Sequence, residues 1–238
     1  EYPYSPTVED ITTLTPTNTV TYAYGNTDWK DQLTAYNGEA ITYDAIGNPL
    51  TYRGMTLTWQ NGRQLATLSK GNTSISYQYN DDGLRTQKTV NGITTEYYWN
   101  GSTLLGQKTG DSYLYFLYDE RGLLVGFNDG TKTYIYTRNL QGDVIAITDT
   151  ATGNTVAQYT YDSWGNILTA TGSMAEVNPI RYKGYYYDSE IGLYYLQTRY
   201  YDSQVGRFIN ADSFVSTGQD LTGFNMYAYC GNLSLIHI

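Results

Sequence analysis

The 238-residue chain holds one cysteine, Cys230, and one histidine, His237. An internal disulfide is excluded, and so is a site built from several histidines. Charged residues are sparse at 16%, against about 25% in an ordinary soluble domain. Of these, 23 are acidic and 14 basic, a net charge of −9. That sign repels phosphate backbones and gives nucleic-acid binding little support. No apolar run approaches the roughly 20 residues that span a bilayer. Prolines number five, and three of them fall in a Thr/Pro-rich, irregular stretch at the start. No segment sustains a helical periodicity. No signal peptide follows Glu1, so the beginning reads as a cut inside a longer chain.

What the chain does have is tyrosine, at 28 positions, and glycine, at 24. Apolar residues reach 40%, including 16% aromatics, so disorder throughout is excluded. The β-favouring residues Tyr, Thr, Val and Ile dominate. Asn-Gly, Asp-Gly and Gly-Asn pairs punctuate the whole length and suit tight hairpin turns, because Gly and Asn reach positive φ at low cost. The clearest hairpin is 86–99, TQKTV-NG-ITTEYYW; another turns at Asp129-Gly130. Between turns, Ile75, Tyr77 and Tyr79 alternate with Ser74, Ser76 and Gln78, a period of two. Tyr113–Tyr118 is apolar on both faces, as in a strand that is central or covered from two sides.

A repeat underlies the punctuation. Gly47, Gly62, Gly83, Gly101, Gly122, Gly142 and Gly165 follow one another at 15 to 23 residues, and Gly206 continues the series. A period near 20 in a β-rich chain means one two-stranded unit per repeat. The corner words are related: Tyr43-Asp44 to Gly47, Tyr79 to Gly83, Tyr118-Asp119 to Gly122, Tyr161-Asp162 to Gly165, Tyr187-Asp188 with Gly192, and Tyr201-Asp202 to Gly206. In each, the aromatic ends a strand, the Asp or Asn side chain accepts backbone N–H groups in the turn, and the glycine takes the left-handed position. A lone hairpin cannot bury its own apolar face. Hairpins stacked side by side can, with a well-covered Tyr contributing about 1.5–3 kcal/mol.

These words resemble the YD repeats of the Rhs family, which includes bacterial wall-associated and secreted toxin carriers, the C component of insecticidal toxin complexes and animal teneurins. The sharper match is RYKGYYYDSEIGLYYLQTRYYDSQVGRF from Arg181 to Phe208, followed by Asn210, Asp212 and Ser213 and then Gly223, Asn225, Tyr227 and Tyr229. It resembles the Rhs repeat-associated core. The family's usual prolines are replaced by Ser203 and Ser213, and its common arginine by Gln197. The residues after Asn232, Leu-Ser-Leu-Ile-His-Ile, break the pattern and read as a non-native tail.

The expectation is therefore an all-β fold of repetitive antiparallel β-hairpins forming a twisted, spiralling strip of about 14 to 18 strands. Residues 1–18 are an irregular lead-in, 19–170 the YD-type hairpins, 171–232 the truncated core and 233–238 the suspect tail. The resemblance implies a non-catalytic segment of a shell that encloses and helps deliver a C-terminal toxin or effector, from a protein secreted by or displayed on a bacterium. Its partners would be the rest of that shell and its cargo; no nucleic acid, membrane span or cofactor is implied. Asp188, Asp202 and Asp212 read as turn caps rather than a catalytic dyad. Asp81-Asp82 and Asp119-Glu120 lack the spacing of a calcium loop. Arg181, Arg199 and Arg207, with Asp212, read as cation–π and carboxylate pins of the core. Two alternatives stand beside this. One is a carbohydrate- or cell-surface-binding module using Trp29, Trp59, Trp99 and Trp164; exposed coplanar rings would mark it. The other is a fragment of a self-cleaving toxin precursor.

Overall fold

The computed structural model describes residues 19–212 and 225–229. The expected lead-in 1–18, the tail 233–238, and Ser213, Cys230 and His237 lie outside the described residues. The described part opens with a three-stranded sheet of two-residue strands: β1 (Tyr22–Ala23), β2 (Ala35–Tyr36) and β3 (Glu39–Ala40). A fourteen-stranded antiparallel sheet follows, with every strand beside its sequence neighbours. Its strands are β4 (Thr42–Tyr43), β5 (Pro49–Tyr52), β6 (Met55–Gln60), β7 (Gln64–Lys70), β8 (Thr73–Tyr79), β9 (Arg85–Val90) and β10 (Ile93–Asn100). It continues through β11 (Thr103–Thr109), β12 (Ser112–Tyr118), β13 (Leu124–Asn128), β14 (Thr133–Arg138), β15 (Val144–Asp149), β16 (Thr155–Tyr161) and β17 (Ile167–Thr171). A single 3₁₀ turn at Tyr182–Gly184 leads to a four-stranded sheet: β18 (Tyr186–Asp188), β19 (Leu193–Leu196), β20 (Arg199–Asp202) and β21 (Arg207–Phe208). Among the described residues there is no α-helix.

Among the described residues the strands number 21 rather than 14 to 18. The excess lies in strands of two to four residues before and after the long meander, too short to leave a periodic signal.

Alternation decides which face is buried. In β8, Ile75 and Tyr77 are buried while Ser74, Ser76 and Gln78 are exposed. Tyr97, Phe116, Phe127, Tyr134, Ile147 and Tyr159 extend that apolar face along the sheet. The other face is polar, with threonine pairs bonded across strands: Thr58–Thr67 and Thr160–Thr169 at 2.7 Å, and Thr89–Thr94 at 2.8 Å. β12 is central, yet only Leu114 and Phe116 are buried, and Tyr115 stays 49% exposed on the polar face.

A fourteen-stranded meander cannot cover its own apolar face. The four-stranded sheet does so: Ile180, Tyr186, Ile191, Leu193, Tyr195, Tyr200, Val205 and Ile209 join the meander's residues in one core cluster. A second cluster on the far side of this plug gathers Tyr182, Tyr194, Tyr201, Phe208 and Tyr229.

The meander bends at a regular beat. Its pairing slips by one residue at Tyr43, Trp59, Tyr79, Trp99, Tyr118, Arg138 and Tyr161, where a strand runs into a corner, and once more at Thr148 between β15 and β16. Such bulges increase local twist and curl a sheet around its contents.

The strip–plug interface as candidate functional site

The plug reaches the strip at both ends and in the middle. At the start, Tyr22 Oη and Tyr36 Oη donate to the carbonyls of Val205 and Gln204, and Tyr227 Oη donates to the Gly47 carbonyl at 3.0 Å. At the other end, Asn166 Nδ2 donates to the Ser203 carbonyl at 3.0 Å, and Tyr201 and Tyr194 donate to the carbonyls of Trp164 and Gly165. The Ser203–Gly206 turn thus touches both the first hairpin and the β16–β17 corner, and the strip curls round the plug.

In the middle lies a buried ionic cluster. Arg85, 1% exposed, donates from Nη1 and Nη2 to the two carboxylate oxygens of Asp188 at 2.6 and 3.1 Å. Lys88 Nζ adds a third contact to Asp188 at 2.7 Å and pairs with Glu190 at 2.6 Å. The Arg85 guanidinium is boxed by the rings of Tyr97 and Tyr195, at 4.7 and 4.2 Å. Burial alone would raise the Asp188 pKa, but Arg85 and Lys88 outweigh it and hold the carboxyl below its ordinary value. Burial likewise works against the charge on Arg85, yet Asp188 and its neighbours raise its pKa. Removing one partner of such a pair costs about 3–5 kcal/mol, because a buried charge is left uncompensated. A second tie joins Asp202 to Arg53 and to Tyr52 Oη.

The bulge at Thr86 makes this cluster possible. Lys88 pairs with Tyr77, and Arg85 with Tyr79, two positions apart on β8 but three on β9. The extra residue puts both cations on the inward face, where strict alternation would send them to opposite sides.

The corner residues follow two patterns. At Asp44, Asp119 and Asp162, Oδ1 accepts two turn N–H groups each: Ile46 and Asn48, Arg121 and Leu123, Trp164 and Asn166. The glycine N–H of each word, at Gly47, Gly83, Gly122, Gly165, Gly192 and Gly206, donates to the carbonyl of the word's Asp or Asn. The bulged aromatics Tyr43, Tyr118 and Tyr161 reach back to the carbonyls of Leu33, Leu104 and Val144, while Tyr79 meets Tyr200 Oη. The plug words differ. Asp188 uses both side-chain oxygens on cations, not on its turn, and Asp202 divides its oxygens between Gln204 N–H and the strip. Tyr187 stacks under the Arg181 guanidinium at 4.7 Å. Arg199 covers the Phe208 ring at 3.6 Å and pairs with Asp212 at 3.0 Å. Arg207 sits over Tyr227 at 4.8 Å and donates to the Asp31 carbonyl.

Close packing fixes two corner glycines. A Cβ on Gly165, at φ +89°, would stand 2.5 Å from the Tyr182 ring. One on Gly47 would meet Trp29 and Tyr227 at 2.6 Å.

Trp29, Trp59, Trp99 and Trp164 are all half-buried. Trp59 and Trp99 pack on the core and donate from Nε1 to the carbonyls of Pro49 and Arg85. None forms the exposed platform that the glycan alternative calls for. Among the described residues no group of three His, Cys, Asp or Glu side chains converges as metal ligands. The residues that sequence reasoning missed are Arg53, Arg85 and Lys88, the strip's half of each lock. A cation inside an otherwise apolar repeat face was the available signal, hidden by the bulge.

A curled, aromatic-cornered β-strip closed by its own plug, with the buried plug acids Asp188 and Asp202 tied to cations of the strip, defines a structural repeat module. Residues 103–235 match the Teneurin YD-shell family, and the chain belongs to that family. It is 38% identical over 217 residues to the tRNA3(Ser)-specific nuclease WapA of Bacillus spizizenii, covering 87% of this chain and 9% of that protein. The tRNA nuclease WapA of Bacillus subtilis (strain 168) is 39% identical over the same length, with the same coverage. The fold resembles a chain in the crystal structure of TcdB2-TccC3-Cdc42, with a TM-score of 0.66 at 18% identity over 90% of this chain and 13% of that one. The Photorhabdus luminescens Tc holotoxin pore carrying TccC3-D651A gives 0.61 at 19% identity, over 82% and 10%. The chain thus spans about a tenth of the curated relatives' length. It is a structural β-repeat segment related to Rhs/YD-shell toxin-delivery systems, of the secreted or cell-surface bacterial kind.

Proposed function

We propose that this segment is wall and plug of a β-shell that encloses a C-terminal toxin or effector in the intact protein and helps deliver it. The observation that carries the reading is the double attachment of the plug: one turn, Ser203–Gly206, bonds to both ends of a strip whose apolar face it covers. In this reading residues 19–170 form wall, 171–232 form plug, and the YD corners set the curl. The partners are the rest of the shell and its cargo.

The test uses the intact protein. Its C-terminal effector is assayed for protease resistance in the parent and in the D188N/D202N double variant. The reading expects a protected effector in the parent and a digested one in the variant, while circular dichroism retains the β signal. Digestion of the effector in the parent, or full protection with both locks broken, overturns it.

A further inference from the structure

Four corners carry the same Asn-Gly pair, at 37–38, 61–62, 91–92 and 100–101. In sequence they are chemically alike, because each asparagine precedes a residue with no side chain to shield its amide nitrogen. The fold separates them. At Asn37, Asn61 and Asn91 the asparagine itself is left-handed, with φ of +50°, +45° and +49°, and its glycine follows in the same region. Each pair thus supplies both central residues of a tight turn. Their side chains are tied. Asn37 Oδ1 accepts the Thr21 N–H at 3.0 Å, and Asn91 Oδ1 accepts the Ser74 N–H at 2.8 Å. Asn61 Nδ2 donates to Gln64 Oε1 at 3.1 Å.

The fourth corner is built differently. Asn100 ends β10, paired with Thr103 of β11, and only Gly101 is left-handed, at φ +55°. Asn100, Gly101 and Ser102 are all exposed. Among the described residues the Asn100 side chain has no hydrogen-bond partner, and the Gly101 N–H donates to no backbone carbonyl. The carboxamide can therefore swing over the peptide that follows it without breaking a side-chain hydrogen bond. An intramolecular attack is limited by how readily that geometry is reached.

We infer that Asn100–Gly101 is a site of spontaneous covalent modification, converted to aspartyl and isoaspartyl forms ahead of the other three pairs. The Gly101 amide nitrogen attacks Asn100 Cγ and gives up its proton. The bond from Cγ to the side-chain nitrogen breaks, and ammonia leaves with that proton, closing a five-membered imide. Water then adds to one imide carbonyl or the other and breaks its bond to nitrogen. Opening at Cγ gives aspartate. Opening at the backbone carbonyl carries the main chain through the side chain and adds one methylene to it. Water is the only co-reactant. Both products add a negative charge, at a corner that meets the plug where Gln197 Nε2 donates to the Ser102 carbonyl at 3.0 Å.

The test incubates the purified folded chain in warm, mildly alkaline buffer and follows all four pairs by peptide mapping and mass spectrometry. A parallel sample is kept unfolded in urea. In the folded chain Asn100 is expected to convert about fivefold faster than Asn37, Asn61 or Asn91, equivalent to about 1 kcal/mol for the hydrogen bond that each of those must break. In urea the bonds and turns are gone, so the four rates should draw together. No conversion at Asn100, equal rates in the folded chain, or another pair converting first overturns the inference. So does an Asn100 lead that urea leaves intact, because local sequence rather than the fold would then set it.

Discussion

At the scale of the residue, each YD word separates two jobs. The acid or amide holds the turn's N–H groups, and the glycine lets the backbone pass through positive φ. Gly165 and Gly122 share that conformation, at +89° and +77°, but differ in surroundings: a Cβ on Gly122 meets open space, and one on Gly165 runs into Tyr182. Substitution at Gly122 therefore costs conformational strain alone, about 1–2 kcal/mol for alanine. At Gly165 the same strain adds to overpacking, for a total of roughly 3–5 kcal/mol. Urea unfolding of G122A and G165A measures the gap; equal losses would mean that the plug does not pack on that corner. The Asp188 side chain shows how far a word can drift from its turn role once a stronger partner stands opposite. Its turn is held by its carbonyl, to Ile191 and Gly192 N–H, so the carboxylate is free to meet Arg85 and Lys88.

At the scale of the element, the bulge turns a simple hairpin into a curled wall. The corners, hairpins and meander were legible from sequence, because turn chemistry and a period of two are local signals. The locks were not. Arg85 and Lys88 share a face only because Thr86 is an extra residue, and a bulge of one residue has no clear sequence mark. Arg181, Arg199 and Arg207 were visible beside their aromatics, whereas Arg53 lies about 150 residues from Asp202 and nothing local ties the two. Deleting Thr86 should restore plain alternation from β9 onwards and turn one cation out of the interface. Its cost should approach that of D188N, about 3–5 kcal/mol. T86S keeps the bulge and should be near neutral. Chemical denaturation of the three variants checks this, and a neutral deletion would detach the bulge from the lock.

At the scale of the whole molecule, the plug's hold depends on charge. Asp188 has a folded pKa below its ordinary value, so its contribution is fully present above the unfolded pKa, about 3.9. It is lost as pH falls through the folded value. Asp129, in the β13–β14 turn, behaves alike, held to about 2 against burial by the N–H of Lys132 and the Thr131 side chain. Docking should therefore be flat from pH 7 to about 4.5 and weaken below about 4. The stability difference between parent and D188N should shrink over that lower range. Denaturation midpoints at pH 7, 5 and 3 test this; a difference that widens on acidification contradicts the sign.

The Ser203–Gly206 turn, bonded to Tyr22 and Tyr36 at one side and to Asn166 at the other, has a further consequence. It meters the circumference. Between those anchors the count of hairpins is fixed by a span that a single short loop must bridge, so a hairpin gained or lost there would leave one anchor out of reach. Lengthening of such a protein over evolution is thereby steered to the stretches outside this girdle.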